Sequence, residues 1–322
     1  MDSKQGAVVA VGSLNVDFVA QVGELPKAGE TIAGRGFVTM PGGKGANQAC
    51  AAGRLGAGGA ATQAVWMVGC VGQDVYGQQL IASLHSAGVD TSRVKTTVEA
   101  ATGVAFITVE ESGQNQIVVV AGANQCLRPE EATDAINLIG GSHLLLQLES
   151  PLETVEAAAR TARARGMTVI LDPAPARPIA SSLLAQVDIL TPNESEALTL
   201  LGLGGDEAPL AKAPEIARRL LALGPRQVVL KLGEKGAFLA DGARERYFAA
   251  RPVKAVDTTA AGDCFNGALA IRLSEGKAID EAIEFAIVAA ALAVTRPGAQ
   301  ASLPSRAEVE QFDARPQSTE AR

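Results

Sequence analysis

Short runs of consecutive apolar residues recur along the chain, and several are followed by stretches in which apolar positions return every three or four residues. Val8 to Val11 and residues 65–68, 144–148, 169–171, 188–190 and 228–232 are too short for helices and predict buried strands. The 3.6-residue spacing between them predicts helices. This alternation builds an α/β fold around a doubly wound, mostly parallel sheet with helices on both faces. Two stretches break the rhythm. Residues 18–40 and 103–120 alternate in strand fashion around turn-forming segments such as Ser112-Gly113-Gln114-Asn115, with no helical period. They predict a small separate β-sheet drawn from about 16–41 and 103–120. The chain, 1–322, is expected to be one domain, and polar residues 315–322 a disordered tail.

Ligands of such sheets gather beyond the carboxyl ends of the strands. Asn15, Asp17, Glu149, Asp172, Asn193 and Gly233 each follow a predicted strand, so residues far apart in sequence can meet in one cleft. The densest candidate chemistry lies in Asp257-Thr258-Thr259-Ala260-Ala261-Gly262-Asp263-Cys264-Phe265-Asn266-Gly267. If a helix begins at Ala261, the amides of Ala260, Ala261 and Gly262 have no intrahelical acceptor and form an anion pocket at the positive end of the helix dipole. Asp263 stands at its rim, where it could take a proton from a hydroxyl attacking the bound anion. That arrangement suits phosphoryl transfer to an alcohol. For an isolated Gly-Asp, favourable placement of Asp263 at a helix start is the plainer account; the flanking motifs decide against it.

Composition narrows the choice. With 47% apolar residues the chain can bury a large core. A formal charge of −7 supplies no basic footprint, so no nucleic-acid partner is expected. Apolar runs are broken well before bilayer length, and Met1-Asp2-Ser3-Lys4-Gln5 has no signal-peptide pattern, so no membrane partner and a cytoplasmic location are expected. His85 and His143 are assigned structural roles, which disfavours zinc or Ser-His-Asp chemistry. No G-x-x-x-x-G-K-[ST] loop is present, so a nucleotide must be held in another way. Cys50, Cys70, Cys126 and Cys264 lie far apart and are expected to be reduced thiols, with Cys264 directly after the proposed base.

Taken together with Asn15-Val16-Asp17, Pro41-Gly42-Gly43-Lys44-Gly45-Ala46-Asn47-Gln48 and Asn193-Glu194-Ser195-Glu196, the Gly262-Asp263 segment resembles the signature set of the ribokinase-like (PfkB) sugar kinases. The resemblance runs in family order from about residue 8 to about residue 305. It implies transfer of the γ-phosphate of ATP to O5 of ribose, with Asp263 as general base and the amides of Ala260, Ala261 and Gly262 stabilising the transferring group. Asn15, Asp17, Gly43, Lys44, Asn47 and Glu149 are the implied sugar contacts, Gly42 and Gly43 letting the backbone approach the ring. Asn193, Glu196, Lys231, Gly233, Gly236 and Gly262 are the implied nucleotide contacts. Mg2+ is implied near Glu196, held through water, and K+ near Asp257, Thr259, Ala293, Arg296, Gly298 and Ser302. The small sheet is implied to be a lid that closes over the sugar and pairs two subunits in a homodimer.

The chain departs from the pattern at Lys231, where the ribose-specific members favour Thr and sugar-acid kinases more often carry Lys, and at Ile287, where many carry a polar residue near the adenine. Other acceptors therefore stay open: deoxyribose, a ketose, a sugar acid or a nucleoside. A non-catalytic sugar-binding regulator is a further alternative, against which Gly262-Asp263 and Asn193-x-x-Glu196 speak.

Overall fold

The computed structural model describes residues 6–59, 63–204 and 210–314, so the predicted tail lies outside the described residues. Its strands are β1 (Val8–Val11), β2 (Asn15–Val22), β3 (Gly36–Gly42), β4 (Val65–Gly72), β5 (Val89–Thr97), β6 (Gly103–Glu110), β7 (Asn115–Val120), β8 (His143–Leu146), β9 (Thr168–Leu171), β10 (Ile189–Leu190), β11 (Gln227–Lys231), β12 (Ala237–Ala240) and β13 (Glu245–Phe248). The helices are α1 (Lys44–Gly56), α2 (Val75–Ser86), α3 (Pro129–Ile139), α4 (Leu152–Ala164), α5 (Ser181–Leu184), α6 (Glu194–Leu200), α7 (Ala213–Leu221), α8 (Ala261–Ser274), α9 (Ile279–Ala293) and α10 (Arg306–Asp313).

Nine strands form one sheet in the order β13-β12-β11-β10-β9-β8-β1-β4-β5. All neighbours from β11 to β5 are parallel, and β12 and β13 add an antiparallel edge. Strand order runs one way from β1 through β4 to β5 and the other way from β1 through β8 to β11, which makes β1 the switch point where a crevice opens. The strands are apolar throughout because both faces are covered. Val8 and Ala10 point into a core shared with α1, α8 and α9, while Val9 and Val11 point into a second core shared with α3, α4 and α7.

Small residues set the spacing of α1 and α8. A Cβ on Gly267 would lie 2.7 Å from both the Gln48 carbonyl oxygen and the Ala51 Cβ, so α8 rests almost backbone-to-backbone on α1.

The two stretches without helical period form a separate sheet, β3-β2-β6-β7. Asn15, at the start of β2, pairs with Gly42 on one side and Gly103 on the other. Asn15 and Asp17, expected just beyond the first strand, are therefore part of this small sheet, which begins only three residues after β1 ends. Phe18 stacks between Phe37 and Phe106 and meets Tyr76 of α2 edge-on. Much of the sheet's apolar surface is nevertheless open: Phe37 is 64% and Val118 63% exposed. Element ends differ from expectation by a few residues. Leu148 leaves its strand to bond the Ala174 carbonyl, and Asp188 instead binds Arg226 and the Val169 amide.

Candidate active site

Asp263 is the third residue of α8 and is buried. Its Oδ2 accepts from Asn47 Nδ2 at 3.0 Å and its Oδ1 from Gln48 Nε2 at 3.0 Å. Burial pushes its carboxyl up to about 6; Asp172 adds to the rise, while Lys44 and the two amide donors oppose it. A carboxylate poised there is suited to general-base work near neutral pH. Ala260 caps α8 in the left-handed region at φ 58°, the one non-glycine residue with positive φ among the described residues. Such strain is kept where the surroundings enforce it, often at functional sites. The expectation of three open amides needs correction. Ala261 N–H reaches the Thr258 carbonyl at 3.2 Å because the turn before the helix folds back, leaving the amides of Ala260 and Gly262 without a partner among the described residues.

The residues expected to contact sugar gather around α1. Gly43 caps this helix at φ 87°, and a Cβ on it would lie 2.7 Å from the Asn15 amide nitrogen. A Cβ on Gly42 would strike the Asp17 carboxylate at 2.2 Å, so glycine leaves that side chain its room. Asp17 is only 8% exposed and accepts no hydrogen bond among the described residues; burial, then the charges of Glu149 and Asp263, push it up to about 7. Glu149 Oε2 is already engaged, accepting from Ser13 Oγ at 2.5 Å and the Lys44 amide at 3.0 Å. This oxygen caps α1, leaving Oε1 as the one open acceptor. Burial works against the charge of Lys44, but Asp263, Asp172, Glu149 and Glu196 prevail and hold the ammonium protonated. Asn15 Oδ1 is taken by Asn124 Nδ2 at 2.7 Å, a partner that nothing in the local sequence signalled.

On the other side of Asp263 a cleft of about 470 Å³ is lined by Lys44, Asp172, Asn193, Glu196, Lys231, Gly233 and the 260–263 turn, among others. Asn193 caps α6 in a reciprocal box: its Oδ1 accepts from the Glu196 amide at 2.8 Å, and its own amide donates to Glu196 Oε2 at 2.7 Å. Asn193 Nδ2 takes the other Glu196 oxygen at 2.9 Å. Burial raises the Glu196 carboxyl above its usual range, against the pull of Lys231. Lys231 Nζ lies 2.8 Å from Asp172 Oδ1 and 3.2 Å from where a Cβ on Gly262 would stand, placing a cation beside the open amide. Gly236 closes the turn after β11 by accepting the Leu232 amide. Ile287 packs in the α9 core.

The profile described as pfkB family carbohydrate kinase matches residues 5–306. The chain belongs to this family. It is 41% identical over 307 residues to the ribokinase of Haemophilus influenzae, covering 95% of this chain and 97% of that protein. Among solved structures it resembles the ribokinase of Thermotoga maritima, with a TM-score of 0.85, 40% identity and coverage of 97% of this chain and 100% of that one. It also resembles the Arabidopsis thaliana ribokinase complexed with ribose and ATP, with a TM-score of 0.85, 33% identity and coverage of 97% and 99%.

In this pfkB-family kinase the loop before α8 is tied to the loop after α9. Asp257 Oδ1 accepts from the Thr259 amide at 2.9 Å and Oδ2 from the Gly298 amide at 2.8 Å. Burial works against its charge, but these bonds prevail and hold the carboxyl below its usual range. Ala293 gives its carbonyl to the Arg296 amide, the Arg296 side chain pairs with Glu308 at 2.6 Å, and buried Ser302 Oγ donates to the Ala299 carbonyl. These three expected ligating positions are thus partly spent on the loop's own bonds. His143 is buried at the start of β8, its ring pushed down to about 4 by burial, and Cys264 is fully buried with its thiol pushed far up, so both are inert packing residues. No helix among the described residues is long and apolar enough to cross a membrane.

Proposed function

We propose that this kinase transfers the γ-phosphoryl group of ATP to O5 of ribose with Asp263 as general base. The observation that carries the proposal is the Asp263 carboxylate, fixed by two donors and buried beside the unpartnered amides of Ala260 and Gly262. The sugar hydroxyl gives its proton to Asp263 as the O5–Pγ bond forms and the bond from Pγ to the β,γ-bridging oxygen breaks, and ADP leaves. The two open amides donate to the oxygens of the transferring group, with the ammonium groups of Lys44 and Lys231 nearby. Asn15, Asp17, Lys44, Asn47 and Glu149 Oε1 hold and orient the sugar; Asp17 has free acceptor capacity for hydroxyl donors. Asn193, Gly233 and Gly236 line the nucleotide side.

Both oxygens of Glu196 are bonded to Asn193, so the residues present fit a magnesium ion held through its own water shell, as that ion favours. When bound it neutralises phosphate charge. The carbonyls of Thr259 and Gly298 accept no hydrogen bond among the described residues, and with the Asp257 carboxylate they fit a large, weakly hydrated potassium ion whose charge supports the loop. The small sheet acts as a lid that excludes water from the reacting groups, and its open apolar surface at Phe37, Phe106, Val118 and Val120 fits pairing with a second copy. Four free cysteines and the use of ATP suit the cytoplasm.

An ADP-release assay across ribose, deoxyribose, a ketose, a sugar acid and a nucleoside tests the acceptor: ribose gives the highest kcat/KM, and a higher value for any other overturns the assignment. Asp263→Ala lowers kcat by roughly 10²- to 10⁴-fold with little change in ribose affinity; near-normal turnover places the base elsewhere.

A further inference from the structure

In the wall of the cleft and behind it, five polar side chains form one continuous chain of contacts. Gln48 is fully buried and does not line the cleft. Its Nε2 donates to Asp263 Oδ1 and to Asp172 Oδ2, each at 3.0 Å, so both hydrogens of one amide are spent on two carboxylates. Its Oε1 accepts from Gln147 Nε2 at 2.7 Å. The other Asp172 oxygen takes Lys231 Nζ. We propose that Gln48, set in orientation by Gln147, is a positioning residue that holds Asp263 for proton abstraction and ties it to the Asp172–Lys231 pair on the phosphate side; this rests on Asp263 being the base.

The chemistry leaves one arrangement of the amides. An ionised carboxylate only accepts, so Gln48 must turn its NH2 toward Asp172 and Asp263. Its carbonyl then faces Gln147, which must donate. The Gln147 carbonyl is thereby directed at Gly12, where an added Cβ would lie 2.1 Å from Oε1. Glycine directly after β1 thus makes room for the orientation that the two carboxylates require. Asn47 and Gln48 together grip both Asp263 oxygens and fix the plane of the carboxylate, and Gln48 also bridges it to a neighbour of like charge. The other charged groups facing Asp263 are Lys44 from α1, Asp17 from β2 and Asp172 after β9 with its partner Lys231; the neighbouring Cys264 thiol stays neutral.

The test is the pH profile of kcat for the parent, Gln48→Met, Gln147→Met and the double variant, with Asp263→Ala as reference. Gln48→Met keeps the length of the side chain and removes both donors. Its acid limb moves to higher pH by about one unit and kcat falls about 10-fold, as expected when a carboxylate loses a charge-assisted bond. Ribose KM stays near the parent value. Gln147→Met shifts the limb the same way by less, and the double variant matches Gln48→Met because Gln147 acts only through Gln48. A Gln48→Met profile that superimposes on the parent after scaling overturns the proposal, as does a double variant whose losses multiply. Should Gln48→Met fail to fold, Gln147→Met, which touches neither carboxylate, decides by the direction of its limb. Active Asp263→Ala would sink the base assignment itself, whereas inactive Asp263→Ala with an unmoved Gln48→Met limb would sink only the positioning role.

Discussion

Replacing Asp17 by asparagine is expected to stabilise the free protein while weakening its hold on sugar. The carboxyl titrates at about 7 in the folded chain against an ordinary 3.8, because it is buried without a donor and faces Glu149 and Asp263. Between those values the folded state binds more protons than the unfolded one, so stability falls as pH rises through the window. The cost of that one charge is about 2 kcal/mol at pH 5.5 and about 4 kcal/mol at pH 8.5. Asp17→Asn removes the titration and leaves a neutral group of the same shape. Thermal melts of parent and variant at the two pH values isolate the effect, since groups not coupled to Asp17 cancel in the difference. The advantage of the variant grows by about 2 kcal/mol from pH 5.5 to 8.5, or roughly 4 °C in Tm for a chain of this size. Saturating ribose reverses the order at pH 8.5, because hydroxyl donors compensate the parent's carboxylate and find less in the amide. A Tm difference that stays flat or shrinks with rising pH would refute the view of Asp17 as an uncompensated buried charge.

Other expectations follow from the same geometry. The acid limb of kcat in the parent falls near pH 6, the value to which Asp263 is raised, and a limb near pH 4 would show that the base is not buried during turnover. Lys231→Met leaves the buried Asp172 without its cation, keeping only the Gln48 donor, and lowers kcat/KM for ATP by about 10- to 100-fold, the usual worth of bonds to a charged group; steady-state kinetics showing an unchanged ATP term would remove Lys231 from the phosphate site. Val118→Lys, on a strand exposed along its whole length, halves the mass seen in light scattering if two copies pair through the small sheet, and an unchanged mass places the contact elsewhere. Potassium raises turnover and lithium does not, and equal rates in both would dismiss the cation loop.

The strand–helix alternation and the two non-helical stretches were legible because burial on both faces forces apolar runs, whereas a half-exposed sheet alternates. Asp263, Lys44 and Asn193 were legible because their motifs are contiguous. Asp172 was placed in the cleft by its position after a strand, but the contacts that Gln48, Gln147 and Asn124 make join residues 99 or more positions apart and only the folded chain creates them. Gln48 was quoted within its motif yet carried no sign of its two carboxylate partners. The pairing of the Ala261 amide was hidden for a related reason, since it depends on the left-handed turn at Ala260, a conformation that alanine rarely announces.

The shortest passage from the large sheet to the small one is a tether of three buried residues, Gly12, Ser13 and Leu14; residues 98–102 form another, between β5 and β6. Leu14 is pinned on both backbone groups by Asn124, and Ser13 by Glu149. If the small sheet tilts as the proposed lid, these three residues are one of its pivots, and Asn15 and Asp17 move with it as the near end of a lever. On that proposed reading sugar occupancy and lid angle are two measures of a single displacement, and a ligand that fails to engage those two side chains would leave the lever unthrown however well it fills the rest of the pocket.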